Sequence, residues 1–210
     1  MAIDSDITST SKLHKRLMNK AVHYLARYQA SRQRLRRVLK QFAKRKLTAP
    51  SDEMSEHNTD VRRKTYDEAE ISQAIEDVIT LCVGYGYVDD NALAQSRARQ
   101  SVISGQSSYQ LSGKLRQMGI DQDTTTQALH YRREEHQDAE RAAAIRAMRK
   151  KRLGPYCPDY ELLDIAQKQK QFAKLARLGF SSDLIKSIMG IETTEEADDQ
   201  LATAEAKTSF

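Results

Sequence analysis

One phrase recurs three times in this chain: apolar residues spaced three or four apart on a cationic background, followed by a helix restart. Leu35, Leu39 and Phe42 carry it first, Leu111, Leu115 and Met118 second, and Phe172, Leu175 and Leu178 third. The last two copies close alike, on Gly119-Ile120-Asp121 and Gly179-Phe180-Ser181, where a glycine stops one helix and an Asp or Ser caps the next. A unit this small cannot bury its own apolar face, so neighbouring units must stack. The repeat therefore directs the chain toward an array of helical units with an extended surface, the kind of body that binds other macromolecules.

Composition narrows this further. Apolar residues are 39% of the 210 and charged residues 30%, too polar a balance for one thick core, and 8 Gly with 3 Pro are few for a sheet of many short strands and turns. The expected fold is all-α, an elongated, curved array of three tandem three-helix repeats. Helical spacing of Leu13, Leu17, Ala21, Tyr24 and Tyr28 places a first helix over 12–28, and Ser31 caps a second that runs to Lys46. Asp67 and Glu70 form a capping pair for a third, striped by Ile71, Ala74, Ile75, Val78, Ile79 and Cys82. The first repeat is thus 12–88, with a mobile insertion over 47–66 where Pro50 and many polar residues replace any apolar period. Repeat two spans 89–134, with helices over 90–103, 107–118 and 121–133. Repeat three spans 135–190, broken at Gly154-Pro155-Tyr156-Cys157-Pro158 and closed by a short helix over 182–189. Residues 1–11 and 191–210 lack a stripe and are expected to be disordered tails, the second of them acidic.

The net charge of +5 is unevenly spread. No acidic residue falls between Asp6 and Asp52, while thirteen Lys or Arg lie between Lys12 and Lys46; past Gly190, Glu192, Glu195, Glu196, Asp198, Asp199 and Glu205 face Lys207 alone. Such polarity steers association with anionic partners. The second helix concentrates it in Arg32, Arg34, Arg36, Arg37, Lys40, Lys44, Arg45 and Lys46. A charge run is usually a solvated face, but like charges on a helix repel by about 0.2–0.5 kcal/mol per pair. Without a compensating acid nearby in sequence, these residues are the candidate contact face for DNA phosphates or an acidic protein surface. If about five of them neutralise phosphates, log affinity falls against log salt with a slope near -4 to -5. No aromatic residue interleaves with the basic side chains on that face, so base stacking is not indicated.

The order of these pieces resembles the RecX family of regulatory proteins. The resemblance rests on Tyr24-Leu25-Ala26-Arg27-Tyr28 leading to Ser31 and Leu35, the junction Gly86-Tyr87-Val88-Asp89-Asp90, the phrase from Ser108 to Ile120, and the closing Gly179-Phe180-Ser181-Ser182-Asp183-Leu184-Ile185. It covers roughly 12–190. It implies a modulator without chemistry of its own that binds the RecA recombinase filament on DNA and inhibits its recombinase and co-protease activities, hence roles in DNA repair, recombination and the SOS response. Single- or double-stranded DNA is implied as a further partner. Gly86, Tyr87, Val88, Asp89, Gly119 and Gly179 read as structural: a helix stop, an aromatic and aliphatic plug, and a cap. The chain departs from the family pattern at Asn91-Ala92-Leu93 and in the insertion after Lys46.

Other chemistries find little footing. His14, His23, His57, His130 and His136 form no metal-ligand spacing, since the last two are six residues apart on different helical faces; no phosphate-cradling glycine loop or nucleophile elbow occurs, and no enzyme activity, metal or cofactor is expected. Cys82 and Cys157 are too few for a disulfide framework, and no stretch is apolar enough for a signal or a membrane span, so a cytoplasmic monomer without membrane contact is expected. The competing reading is an autonomous DNA-binding module that acts without a recombinase. Against it stand the scarcity of base-reading side chains beyond Arg32, Gln33 and Arg34 and the lack of a dimer element.

Overall fold

The computed structural model describes residues 3–46 and 66–206, and the described residues form two compact units divided between Asp90 and Asn91. All regular structure among them is helical. The first unit contains α1 (Ile3–Leu25), α2 (Arg32–Lys46) and α3 (Glu68–Gly84). Residues 3–11, expected as a tail, are helical: that run has no Gly or Pro to stop α1 from extending backward. The insertion expected over 47–66 lies, apart from Tyr66, outside the described residues.

The caps form where the sequence places them. Ser31 Oγ accepts from the Arg34 amide at 3.1 Å, and Asp67 with Glu70 makes the reciprocal capping box of α3. Leu13, Leu17 and Ala21 of α1, Leu35, Leu39 and Ala43 of α2, and Ile71, Ile75, Val78 and Cys82 of α3 are all buried in one apolar cluster. Each buried Leu, Ile or Val contributes about 1.5–3 kcal/mol. At the end of α3, Gly86 turns left-handed at φ +71° and the amides of Tyr87 and Val88 both donate to the Cys82 carbonyl.

The second unit takes up α4 (Asp90–Ile103) from Asn91 onward and continues with α5 (Ser108–Gln117), α6 (Gln122–Glu135) and α7 (Ala139–Lys151). Two short 3-10 turns, Gly154–Tyr156 and Tyr160–Leu162, lead to α8 (Ile165–Arg177), α9 (Ser182–Met189) and α10 (Thr194–Glu205). Its apolar interior has two clusters. Leu93, Ala98, Leu111, Leu115, Ile120 and Ala128 form the smaller; Ile145, Met148, Leu153, Leu175, Ile185 and Ile188 centre the larger, which also takes in Val102 of α4. One helix thus serves both clusters. Threonines 124–126 do not break α6, because Asp121 caps it through the Thr124 amide at 2.7 Å and the Thr125 and Thr126 hydroxyls donate back to the carbonyls of Asp121 and Gln122.

The seam within this unit is close. At Gly105 (φ +70°) an added Cβ would lie 2.8 Å from the Ala147 amide nitrogen, against the main chain of α7. Ser107 is fully buried: its hydroxyl accepts from the Gln110 amide at the start of α5 and donates to the Leu178 carbonyl at the end of α8.

α10 corrects the expectation of a disordered acidic tail over 191–210 as far as residue 206; 207–210 lie outside the described residues. Thr193 caps it through the Glu196 amide at 3.1 Å, Glu195 and Glu196 suit the positive end of the helix dipole, and Ala197, Leu201 and Ala204 give a narrow buried stripe. The stripe has one large apolar residue, so small side chains let α10 lie close on α7. Main-chain bonds from the Asp138 amide to Ala204 O (3.0 Å) and the Gln137 amide to Ala206 O (2.9 Å) finish the contact.

Candidate functional site

With Leu35, Leu39 and Ala43 turned inward, α2 presents Arg32, Arg34, Arg37, Lys40, Lys44, Arg45 and Lys46 as exposed side chains. Arg36 does not belong with them. It is half-buried, and its guanidinium forks onto Glu76 of α3, with Nε to Oε1 and Nη2 to Oε2 both at 2.6 Å, while Nη1 donates to Gln33 Oε1. The bonds from Arg36, with the charges of Arg36 and Lys40, hold the Glu76 carboxyl below the usual carboxylate range, and the same bonds with the Glu76 charge push Arg36 up. The acid missing from the local sequence is supplied across the bundle, and the contact face loses one of its eight predicted cations to an internal pair.

Other members of the face are positioned by neighbours. Arg34 Nε donates to the Tyr24 hydroxyl at 3.3 Å, Tyr24 is tilted against Tyr28 with ring centroids 5.2 Å apart, and Lys20 lies 5.9 Å from the Phe42 ring. The tyrosines beside Arg34 come from the end of α1, at a separation sequence spacing does not reveal, while Phe42 belongs to α2 itself. The Arg32 amide donates to Asp90 Oδ1 at 3.0 Å, which fixes the start of α2. Lys40 and Lys44 line a cavity of about 430 Å³ with Glu68, Ile71 and Ile75. On the other side of α3, Asp77 meets His14 of α1 at 3.0 Å and Gln73 at 2.9 Å, and those bonds lower its carboxyl.

The motif residues divide. Val88 is buried as a plug, but Tyr87 is 56% exposed and rests beside the exposed Tyr85, with ring centroids 5.8 Å apart. The reading of Tyr87 as a core plug is therefore corrected: its amide completes the turn on Cys82 while its ring points to solvent. Asp89 directly precedes α4. Gly119 and Gly179 are both left-handed, at φ +76° and +83°. At Gly179 a Cβ would also come within 2.7 Å of Tyr109, so the close approach as well as the turn demands glycine.

Among the described residues no group of three His, Cys, Asp or Glu side chains could hold a metal ion, and no helix is long and apolar enough to cross a membrane. Cys82 is buried, which pushes its thiol up. Sequence reasoning missed Arg132, a wholly buried cation of α6. It pairs with Glu140 and bonds Ser108 Oγ and the carbonyls of Gln106 (3.0 Å) and Ala139 (3.3 Å). Its only trace was its place one turn beyond Ala128 on the inner face of α6.

No protein-family model matches the chain. Among curated proteins it is 34% identical over 139 residues to a regulatory protein RecX of Agrobacterium fabrum, covering 65% of this chain and 69% of that protein. It is 29% identical over 173 residues to a regulatory protein RecX of Myxococcus xanthus, covering 82% and 83%. These relatives are named as regulatory proteins, not enzymes. A crystal structure of a regulatory protein RecX shares the fold, with a TM-score of 0.60 at 15% identity over 89% of this chain and 76% of the other. Agreement in sequence over most of the length of the Agrobacterium protein, together with an all-α fold held in common, makes this chain a member of the RecX family of regulatory proteins.

Proposed function

We propose that this regulatory protein acts in the cytoplasm as a monomer, binds RecA filaments on DNA and inhibits their recombinase and co-protease activities, with no chemistry of its own. The relatives' name supports a RecA-related partner. The observation that carries the reading is α2, a helix with seven exposed cations, beside which Glu76 of α3 is engaged by Arg36. Such a face meets DNA phosphates or an acidic recombinase surface, and occupying a filament there bars homologous DNA or favours disassembly.

The test adds the purified protein to preformed RecA–DNA filaments and follows ATP hydrolysis and strand exchange. Both rates are expected to fall at stoichiometric amounts, and unchanged rates would overturn the reading. The triple reversal Arg37→Glu, Lys40→Glu, Arg45→Glu should abolish the effect while leaving helicity intact, because all three side chains are exposed. Arg36→Glu is unsuitable, since it would set two carboxylates face to face. Sequence-selective binding to bare duplex, with no response of the filament, would replace this reading with that of an autonomous DNA-binding module.

A further inference from the structure

The unit formed by residues 91–206 carries a second cationic surface, on helices the reading above does not use. Between α8 and α9 runs an open groove of about 410 Å³ floored by Phe172 and Met189, with Ile165 on one wall and Lys168 and Lys186 as the only charged side chains lining it. Phe172 and Met189 are half-buried against the larger apolar cluster. Ile165 is 77% exposed and Leu162, just before it, 83%, the two most exposed large apolar residues among those described. α8 itself (Ile165–Arg177) contains Lys168, Lys170, Lys174 and Arg177 and no acid. Neither groove lysine pairs with a carboxylate among the described residues; Lys168 instead lies 5.2 Å from the Tyr160 ring. The nearest acid along the helix, Asp164, is consumed as the N-cap in a reciprocal box with Gln167.

From this juxtaposition we infer that the α8–α9 groove is a docking site for an acidic amphipathic helix of a partner protein, one that places Leu or Phe on Phe172, Met189 and Ile165 and sets Asp or Glu against Lys168 and Lys186. Charge complementarity selects the occupant: an apolar floor rimmed only by lysines rejects a basic helix and leaves the carboxylates of an acidic one paired. The same chain already shows such packing once. α10, with Ala197, Leu201 and Ala204 inward and acids around them, lies on α7 with Glu205 paired to Arg146 and Asp198 within 3.8 Å of Arg149. A protein helix fits the groove better than a nucleic acid strand does, because the floor offers aliphatic and thioether surface and a half-buried ring rather than an exposed face for base stacking.

The test uses the full chain, no recombinase, and labelled synthetic peptides of about eighteen residues, long enough to be helical. One carries Leu and Phe at i, i+3, i+4 and i+7 with Glu elsewhere, a second has Lys in place of Glu, and a third keeps the Glu but replaces the apolar residues by Gln. Fluorescence anisotropy should show binding of the first alone. Its affinity should fall by about tenfold or more in Lys168→Glu/Lys186→Glu and in Ile165→Asp; Lys186 and Ile165 are exposed and Lys168 half-buried, and circular dichroism should show unchanged helix content in both variants. No binding of the first peptide, equal binding by these variants, or equal binding of the Gln peptide would each overturn the assignment. So would an outcome in which the same variants lose binding of a single-stranded oligonucleotide but keep the peptide. Because no recombinase is present, failure here is distinguishable from failure of the filament reading.

Discussion

A guanidinium closed off from water needs acceptors, and Arg132 of α6, 1% exposed, has found most of them: Glu140, Ser108 Oγ and the carbonyls of Gln106 and Ala139, with only Nε left over. Glu140 in turn accepts from the Ser108 amide at the start of α5. The pair joins α5, α6 and α7, and its two members are unequally dependent on each other. Glu140 keeps about a third of its side chain in water, whereas Arg132 has no such refuge. Removing the acid therefore strands a buried charge, and Glu140→Ala should cost about 3–5 kcal/mol. Arg132→Met leaves a carboxylate that can hydrate and two carbonyls short of a donor, and should cost only about 1–3 kcal/mol. Urea denaturation of the two variants checks the order. The Arg36–Glu76 fork, with side chains 31% and 43% exposed, falls nearer the 0–1 kcal/mol or so of surface pairs despite its good geometry.

Among the elements, α10 and the α2–α3 pair make the clearest predictions. α10 is held by one large apolar side chain, Leu201, and by polar bonds from Arg141 to Gln200 and from Tyr156 to Asp198 at 2.6 Å. Leu201→Ala should cost about 2–3 kcal/mol and raise amide exchange throughout α10 before the rest of the unit. In the first unit, Glu76 and Asp77 have carboxyls held down by hydrogen bonds, from Arg36 to the former and from His14 and Gln73 to the latter. A carboxyl depressed in the folded state contributes stability that is present above the unfolded pKa and lost as pH falls through the folded one. The α1–α3 bundle should therefore weaken from about pH 4 downward. Glu76→Gln/Asp77→Asn should flatten that dependence in urea midpoints measured between about pH 3 and 7.

For the molecule as a whole, the proposed contact of the α2 face with DNA predicts a steep ionic response. With about five phosphates neutralised, log affinity for duplex DNA should fall against log salt with a slope near -4 to -5, and each reversal on α2 should lower that slope by about one. The α2 face was legible because cations, stripe and cap lie within one continuous run, and α4 and α9 were legible because Gly breaks and Asp or Ser caps bracket them. What remained hidden is non-local or subtle. Glu76 lies forty residues from Arg36 in the chain, and α10 buries mainly alanines, whose small side chains make a weak apolar stripe. The outward ring of Tyr87 follows from which side of a turn it falls on, which a motif does not specify, and Arg132 broke the expectation that cations face water. Ser107 carries a final consequence. Its one hydroxyl both opens α5 and ties off α8, 71 residues later in the chain, so those two boundaries form a single knot. Neither helix can slip by a residue without undoing the other, and the second and third copies of the repeated phrase are kept in step by one oxygen atom.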